Sequence, residues 1–373
     1  MSEIKENKEP LNKNNKVPKL RFDSTVWEEK RIGNLLKMCN GKDQKAIENS
    51  NGKYNIYGTG GIIGKTDYYL YDKESIGIGR KGTIDKPFYF DKPFWTVDTL
   101  FWSKIQNGYF PKFIYYLFQT IDWKKLNQST GVPSLTSHVI EHQKIYVPDY
   151  NYQVKLSKMF DVVESKILAI ESKINILKKY KIGVMQKSFE SDKKVALGNI
   201  LKEINVKTTQ NNQYEILSST SNGLFSQKEY FNHQVASENN VGYKIIKKGE
   251  LILSPQNLWL GNINLNISFD IGIVSPSYKI YSIDNKVNKM WLIEELKTPK
   301  MLYNYKTVSE QGASVVRRNL DTSQFMDIII NIPSVQNSIG NILNALQNKI
   351  NALSTSLNDM KKLKMHLLQS MFI

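Results

Sequence analysis

The sequence KKYKIGVMQKSF (Lys178 to Phe189) returns near the end of the chain as KKLKMHLLQSMF (Lys361 to Phe372). A second pair of matching segments lies upstream at nearly the same spacing. It consists of SLTSHVIEHQKIYVP (Ser134 to Pro148) and NLDTSQFMDIIINIP (Asn319 to Pro333). A long-period internal repeat of this kind indicates a duplicated architecture and must be identified before local motifs are interpreted.

The openings of the two repeats also correspond, as IGNLLK (Ile32 to Lys37) and LGNILK (Leu197 to Lys202). Between these matched segments, roughly residues 38 to 130 and 203 to 315, the two halves show no convincing alignment. The chain therefore has two similar frames that carry different inserts.

Each frame ends in a segment with the heptad spacing of a coiled-coil helix. The first seam consists of Leu156, Phe160, Val163, Ile167, Ile170, Ile174, Leu177, Lys181, Val184 and Ser188. The second seam consists of Ile339, Leu343, Leu346, Ile350, Leu353, Leu357, Met360, Lys364, Leu367 and Met371. Alternating steps of four and three residues keep one apolar stripe facing a partner helix. The pattern predicts an antiparallel coiled coil within the chain, with packing of each helix on its own domain as the alternative.

The inserts carry strand and turn signals, because they are β-branched or aromatic and interrupted by glycine. These segments are Tyr54 to Gly64, Ser75 to Ile84, Phe94 to Ile105, Gly242 to Pro255, Ile267 to Ile283 and Asp327 to Pro333. Short helices are expected at Pro111 to Thr120 and at Val287 to Lys297. The predicted fold class is α+β, with two α/β domains joined by two long helices in a pseudo-twofold repeat.

This organisation gives five regions along the chain. They are a disordered leader (1–18), a first domain (19–146), a first helical region (147–190), a second domain (191–331) and a second helical region (332–373). Pro148 and Pro333 mark where each helix can begin, since proline is tolerated only in the first turn.

The chain of 373 residues carries a formal net charge of +16, and every one of the five regions is positive. Such a charge favours a polyanionic partner over simple solubility, although no basic tail accounts for it. No stretch is long and apolar enough for a membrane span or a secretion signal. The single cysteine, Cys39, cannot form an internal disulfide, which fits a cytoplasmic protein.

Motifs for catalysis and metal binding are largely missing from the sequence. GTGGIIG (Gly58 to Gly64) lacks dinucleotide-loop spacing, so a turn between strands is the better interpretation. His138 and His142 do not have the spacing of a zinc hydrolase, and no metal site is expected. A nuclease alternative of the PD-(D/E)-x-K type uses Pro148-Asp149 with Glu164-Ser165-Lys166 or with Glu171-Ser172-Lys173, but either glutamate would then lie on a helix rather than on a strand.

Polar and cationic loops offer the better candidates for contacts with nucleic acid. Gly79-Arg80-Lys81-Gly82-Thr83 places two cations on a glycine-flanked turn, where arginine suits guanine edges and lysine suits phosphate. The alternative is a solvated cationic turn. The candidate contact residues are Arg80, Lys81, Thr83, Lys65, Ser134, Gln256, Asn257, Gln311, Arg317 and Arg318.

Taken together, these segments resemble the specificity (S) subunit of type I restriction-modification systems over nearly the whole chain from Val17. The resemblance is carried by KLRF…WEEKRIGNL, GTGGIIG…IGRKGTI…WTVDTLF, STGVPSL…IYVP and the two helix endings. It implies a non-catalytic protein with two target-recognition domains that read the halves of a bipartite, asymmetric DNA site.

The resemblance also implies the partners of the chain. Two modification subunits would methylate adenine with S-adenosylmethionine, and restriction subunits would use ATP and Mg²⁺ for translocation and cleavage. This chain itself would bind no cofactor. A coiled-coil assembly adaptor that binds no DNA is the alternative of a different class.

Overall fold

The computed structural model describes residues 18–186, 193–230, 239–311 and 317–372. The predicted leader falls almost entirely outside this part of the chain. Contacts divide the chain into two compact units: Met1–Glu171 with Thr355–Ile373 (unit 1), and Ser172–Ser354 (unit 2). Among the described residues, no helix has the length and apolar character needed to cross a membrane.

The described part of the first half contains nine strands, three short α-helices and a long fourth helix. In chain order they are β1 (Glu28–Arg31), α1 (Ile32–Leu35), β2 (Leu36–Cys39), β3 (Tyr54–Gly58), β4 (Gly61–Thr66), β5 (Ser75–Gly79), β6 (Phe88–Phe90), β7 (Phe94–Thr96), β8 (Leu100–Ile105), α2 (Pro111–Phe118), α3 (Ser137–His142), β9 (Lys144–Val147) and α4 (Tyr150–Gln186).

The described part of the second half continues with strands and short helices and ends in a second long helix. In chain order they are β10 (Lys193–Ala196), β11 (Leu201–Ile204), β12 (Leu217–Thr220), β13 (Gly223–Ser226), α5 (Gln227–Tyr230), β14 (Lys244–Lys247), β15 (Leu251–Leu253), β16 (Ile263–Leu265), β17 (Ile271–Val274), β18 (Lys279–Ile283), α6 (Lys289–Glu295), α7 (Pro299–Thr307), β19 (Ser309–Gln311), β20 (Arg318–Leu320), α8 (Thr322–Asp327), β21 (Ile329–Ile332) and α9 (Gln336–Met371). The two short helices predicted from the sequence are thus confirmed as α2 and α6, each with slightly shorter bounds.

The two units have equivalent central sheets. In unit 1 a four-stranded antiparallel sheet has the order β2-β8-β5-β6, and in unit 2 the order is β11-β18-β15-β16. Each of these strands occupies the same place in its repeat. The duplication therefore extends into the inserts, where the two sequences could not be aligned.

The matched openings of the repeats fold in the same way. The backbone N–H of Ile32 donates to the carbonyl of Gln143 at 3.0 Å, and that of Leu197 donates to Ile328 at 2.9 Å. A Cβ atom added at Gly33 would lie 3.3 Å from Cβ of Glu141, and one added at Gly198 would lie 3.3 Å from Cβ of Met326. The glycine of each GN motif thus allows a close helix contact, which explains why both copies contain it.

Helices α4 and α9 pair in antiparallel fashion. In unit 1, Glu164 and Glu171 of α4 contact Lys364 and Lys361 of α9, in reversed order along the two helices. In unit 2, Lys181 of α4 donates to Gln347 Oε1 of α9 at 2.7 Å.

The predicted seam residues lie at this pairing and are buried or half-buried. On α4 they include Leu156, Val163, Ile167, Ile170, Ile174 and Leu177. On α9 they include Leu343, Leu346, Ile350, Leu353, Leu357 and Met360. The predicted coiled coil is confirmed, and Ser188 falls outside the described residues.

The C-terminal end of α9 completes the core of unit 1. The ring of Phe372 lies 5.5 Å from that of Phe113, 5.9 Å from that of Phe160 and 6.2 Å from that of Trp27. These buried aromatic contacts join the last residues of the chain to its first domain. Each long helix therefore contributes one part to unit 1 and the other part to unit 2. The sequence pattern had instead assigned each helix to a region of its own.

Candidate nucleic-acid interface

The turn after β5 is held on two sides by backbone hydrogen bonds. The N–H groups of Arg80 and Lys81 donate to the carbonyl of Thr99, at 2.8 and 3.2 Å. On the other side, Gly82 donates to Pro133 at 2.8 Å, and Leu135 donates to Arg80 at 2.9 Å. The backbone of this clamped turn (Gly79 to Thr83) is thus fixed, while its side chains remain available for contacts.

Two glycines make this turn possible. A Cβ atom at Gly79 would lie 2.0 Å from the carbonyl oxygen of Thr83, so only glycine fits there. Gly82 has φ +92°, a conformation that L-residues with side chains rarely adopt. The glycines that flank Arg80 and Lys81 in the sequence are therefore required by the turn itself.

The structure brings most of the candidate residues of the first half together. Arg80 is half-buried, and its Nη1 donates to the carbonyl of Asp98 at 3.4 Å, whereas Lys81 is exposed. Lys81 also forms a β-bridge with Ser134. The turn therefore presents an exposed lysine beside an arginine whose side chain is restrained.

Two further candidates differ in their relation to the turn. Thr83 belongs to it through its carbonyl, which faces Gly79. Lys65 is exposed and lies towards the end of β4, opposite Asn55 and away from the hairpin turn at Gly61. Lys65 therefore adds positive charge to the sheet of β3 and β4 rather than to the clamped turn.

Unit 2 has a corresponding turn after β15. There the N–H of Arg318 donates to the carbonyl of Gln256 at 3.1 Å, and Arg318 lies opposite Gln311 in the β19–β20 ladder. Asn257 follows the exposed Gln256, and among the described residues its buried Oδ1 accepts no hydrogen bond. The predicted residues Gln256, Asn257, Gln311 and Arg318 are thus brought together.

The guanidinium of Arg318 is engaged within its own unit. Its Nε donates to Ser309 Oγ at 2.9 Å, and its Nη2 donates to the carbonyls of Ser309 and Lys306 at 2.5 and 3.2 Å. These bonds position the β19–β20 hairpin. Arg317 is exposed, whereas residues 312–316 of the same loop lie outside the described part.

An ion pair flanks the clamped turn of unit 1. Lys124 Nζ lies 2.7 Å from Asp85 Oδ2, and this hydrogen bond is the main reason that the pKa of Asp85 is lowered. The carboxylate is consequently charged and paired near neutral pH, which limits its repulsion of an anionic ligand.

The β3–β4 hairpin is a neighbour of the turn that the sequence did not reveal. A Cβ atom at Gly82 would lie 3.4 Å from Oγ1 of Thr59, which lies in the hairpin loop. GTGGIIG was correctly interpreted as a turn between strands, but its contact with the second glycine motif depends on tertiary pairing. The only sequence signal was a pair of adjacent isoleucines, Ile62 and Ile63, beside a glycine-rich turn.

The residues of the nuclease alternative have structural roles. Asp149 caps α4, because its Oδ1 accepts from the N–H of Tyr152 at 3.0 Å. Glu164 contacts Lys364 and accepts a hydrogen bond from Tyr116, while Lys166 is exposed on the same helix. Within the described ranges, no group of three His, Cys, Asp or Glu side chains is arranged to hold a metal ion.

Comparison with known protein families gives one match, in the first half of the chain. Residues 25–179 match the family model of the type I restriction modification DNA specificity domain. No curated protein gives a match by sequence.

Comparison with solved structures covers nearly the whole chain. The fold is similar to the crystal structure of the type I restriction-modification system S subunit from M. genitalium (TM-score 0.68, 16% identity, covering 96% of this chain and 99% of that one). Weaker matches are a chain from a study of type I R-M complex assembly and conformational transition (TM-score 0.46, 11% identity, 92% and 96%) and the HsdS subunit from Thermoanaerobacter tengcongensis (TM-score 0.36, 13% identity, 93% and 96%).

Proposed function

We propose that this chain, whose residues 25–179 match the type I restriction modification DNA specificity domain, is the non-catalytic specificity (S) subunit of such a system and reads a bipartite, asymmetric DNA site. Each unit would read one half-site with its own loops. The observation that carries this proposal is the duplicated turn, at Arg80 and Lys81 in unit 1 and at Gln256 in unit 2. Different side chains on the same backbone frame would give the two half-sites different sequences.

The net charge of +16 supports duplex DNA as the ligand, because contacts with phosphates contribute much of the affinity of DNA-binding proteins. Arg80 is the favoured base-reading residue and Lys81 the favoured phosphate contact. Arg318 would act by holding its hairpin in place, since its guanidinium bonds to Ser309 and Lys306.

Partner subunits would supply the chemistry. We expect two methyltransferase subunits that methylate adenine with S-adenosylmethionine, and restriction subunits that use ATP and Mg²⁺, in the cytoplasm. Exposed apolar residues on α4 support docking of a partner on the helices: Val162 and Leu168 in unit 1, and Ile176 and Tyr180 in unit 2. Ile176 and Tyr180 lie one helical turn apart on the same face of α4, as the exposed apolar residues of a docking surface would.

Sequencing of adenine methylation in cells with and without this gene tests the proposal. A two-part adenine-modified motif that depends on the gene is the expected result. The purified complex should also bind that motif in preference to a scrambled duplex, with an affinity that falls as salt rises. A complex that assembles normally but binds no duplex, with no methylation lost on deletion, would instead identify an assembly adaptor.

A further inference from the structure

The tip of the β3–β4 hairpin exposes two adjacent isoleucines beside the clamped turn. Ile62 and Ile63 keep 59% and 54% of their surface exposed. Exposure of large apolar side chains to water is unfavourable, so a contact that buries Ile62 or Ile63 would be favourable. Their neighbours in the fold indicate what that contact is.

A β-bulge gives Ile63 a special position in the hairpin. Ile56 lies opposite Gly64 and Tyr57 lies opposite Ile62, so Ile63 is the extra residue of the β3–β4 ladder. Bulges redirect a side chain relative to the regular ladder and often lie beside functional sites. The corresponding hairpin of unit 2, β12–β13, has a regular register.

The bulge directs Ile63 towards the side of the hairpin that adjoins the Arg80 turn. A Cβ atom at Gly58 would lie 3.3 Å from Cγ2 of Ile63 and 3.9 Å from Cγ2 of Val97, so the isoleucine lies across Gly58, beside Val97. The residues after Val97 hold the turn, since the carbonyls of Asp98 and Thr99 both accept hydrogen bonds from Arg80.

The charges around Ile63 favour DNA over a protein as the partner. Arg80 and Lys81 lie on the adjacent turn and Lys65 lies on the same strand, whereas Asp98 contributes one exposed carboxylate. This excess of cations around an apolar tip complements the phosphates that flank a groove.

We propose that the β3–β4 hairpin enters the major groove of one half-site and that Ile63 contacts the 5-methyl group of a thymine. The major groove, about 12 Å wide, admits a two-stranded β-ribbon, and an apolar contact with the thymine methyl is a known element of direct readout. Ile63 is thereby a specificity-determining residue, and this inference rests on the proposed function.

Every half-site would contain at least one thymine, because an adenine that becomes methylated pairs with thymine. Replacing thymine by deoxyuridine removes only the methyl group and keeps the Watson–Crick pairing. A set of duplexes therefore tests the contact directly. Each duplex carries the methylation motif with a single thymine replaced, and the set covers every thymine of both half-sites.

The measurement is the Kd of the full-length chain in complex with the methyltransferase subunits, for wild type, Ile63→Ala and Ile62→Ala. In the wild type, one deoxyuridine should weaken binding about fourfold, the effect of one lost buried methyl group. In Ile63→Ala that same replacement should cause no further loss. Ile62→Ala, the matched control of the same residue type and similar exposure, should keep the full effect.

Circular dichroism and thermal unfolding check that each variant is folded. Should Ile63→Ala unfold, Ile63→Thr keeps the β-branched shape and is expected to lose the methyl effect in the same way. Equal effects of every deoxyuridine in wild type and variant would overturn the inference, as would weaker assembly with methyltransferase subunits while the methyl effect persists. Absence of any sequence-specific binding by the wild type would instead overturn the proposed function.

Discussion

At the scale of single residues, the surroundings of the two side chains distinguish Arg80 from Lys81. Both residues donate to Thr99, but Arg80 is half-buried with its guanidinium on Asp98, whereas the side chain of Lys81 is exposed. An arginine held in one orientation can select a base edge, while a mobile lysine is suited to the uniform charge of the phosphates.

This difference predicts distinct effects of the two alanine variants on DNA binding. Arg80→Ala should cost about 1 to 3 kcal/mol and relax the preference at one position of one half-site. Lys81→Ala should weaken all sequences alike and reduce the slope of log K against log salt by about one. Binding titrations against a set of single-base variants at several salt concentrations distinguish the two. A uniform loss in both variants would identify Arg80 as a second phosphate contact.

The close approach at Gly79 predicts that its replacement distorts the turn. Gly79→Ala brings Cβ to 2.0 Å from the backbone oxygen of Thr83, which cannot move away as a flexible side chain can. We expect a loss of about 1 to 3 kcal/mol in stability together with weaker DNA binding. Gly60→Ala is the matched control, because no atom lies within 4 Å of its Cβ position. Equal unfolding midpoints for the two variants in urea would contradict the expected strain.

The sequence predicted the candidate residues on these turns better than it predicted their neighbours. Arg80 and Lys81 were placed on a turn because glycines flank them, a signal that depends only on local conformation, and their contact with DNA stays a prediction. The contact of the turn with Thr59, and the bulge at Ile63, depend on which strands pair, and strand pairing is not encoded in local periodicity.

At the scale of elements, the two lysines that interrupt the seams form equivalent three-helix contacts. In unit 1, Lys364 of α9 contacts Glu164 of α4 and Gln119 at the end of α2. In unit 2, Lys181 of α4 contacts Gln347 of α9 and Glu294 of α6. Each lysine therefore contacts one carboxylate and one amide. In unit 1 the carboxylate lies on the partner long helix and the amide on the domain, whereas in unit 2 the amide lies on the partner long helix and the carboxylate on the domain.

These contacts predict coupled effects on stability. Only 16% of the Lys364 side chain and 28% of the Glu164 side chain are exposed, so Lys364→Leu leaves a poorly hydrated carboxylate and should cost about 1 to 3 kcal/mol. Lys364→Leu combined with Glu164→Leu should recover much of that loss, because no unpaired charge then remains.

Urea unfolding of the single and double variants measures this coupling. The exposed pair Lys361–Glu171 is the matched control, since its side chains are 51% and 37% exposed and Lys361→Ala should change stability by less than about 1 kcal/mol. Additive losses in the double variant would show that Lys364 and Glu164 do not interact.

The helices were predictable from the sequence because their burial repeats every seven residues. The sheets were predictable only as segments, since their common order β2-β8-β5-β6 and β11-β18-β15-β16 joins strands that are distant in the chain. Backbone pairing maintains that order while the side chains differ, which is why the structural repeat continues where the sequence repeat fades.

At the scale of the whole molecule, the chain is a duplication in which the loops proposed to read DNA are separate from the frame that supports them. The matched sequences lie at the frame, where Gly33 and Gly198 make the same close contacts and both long helices keep their seams. The unmatched sequences lie in the inserts that carry the proposed DNA-reading turns. Change in the inserts can therefore alter the half-sites without altering the frame that partner subunits would use.

The continuous helices α4 (Tyr150–Gln186) and α9 (Gln336–Met371) predict how the proposed site responds to their length. One extra heptad adds roughly 10 Å to a helix, the length of about three base pairs, and keeps the seam in phase. Inserting a heptad after Ile170 and another after Leu353 should lengthen the unspecified spacer between the half-sites by about two to three base pairs, with both half-site sequences unchanged. Insertion of two residues at the same places is the control, because it rotates the following part of each seam by about 200°, to the opposite face of the helix, and should prevent assembly. The methylation motif of cells that carry each variant gives the spacer length, and an unchanged spacer with full activity would show that the helices do not set it.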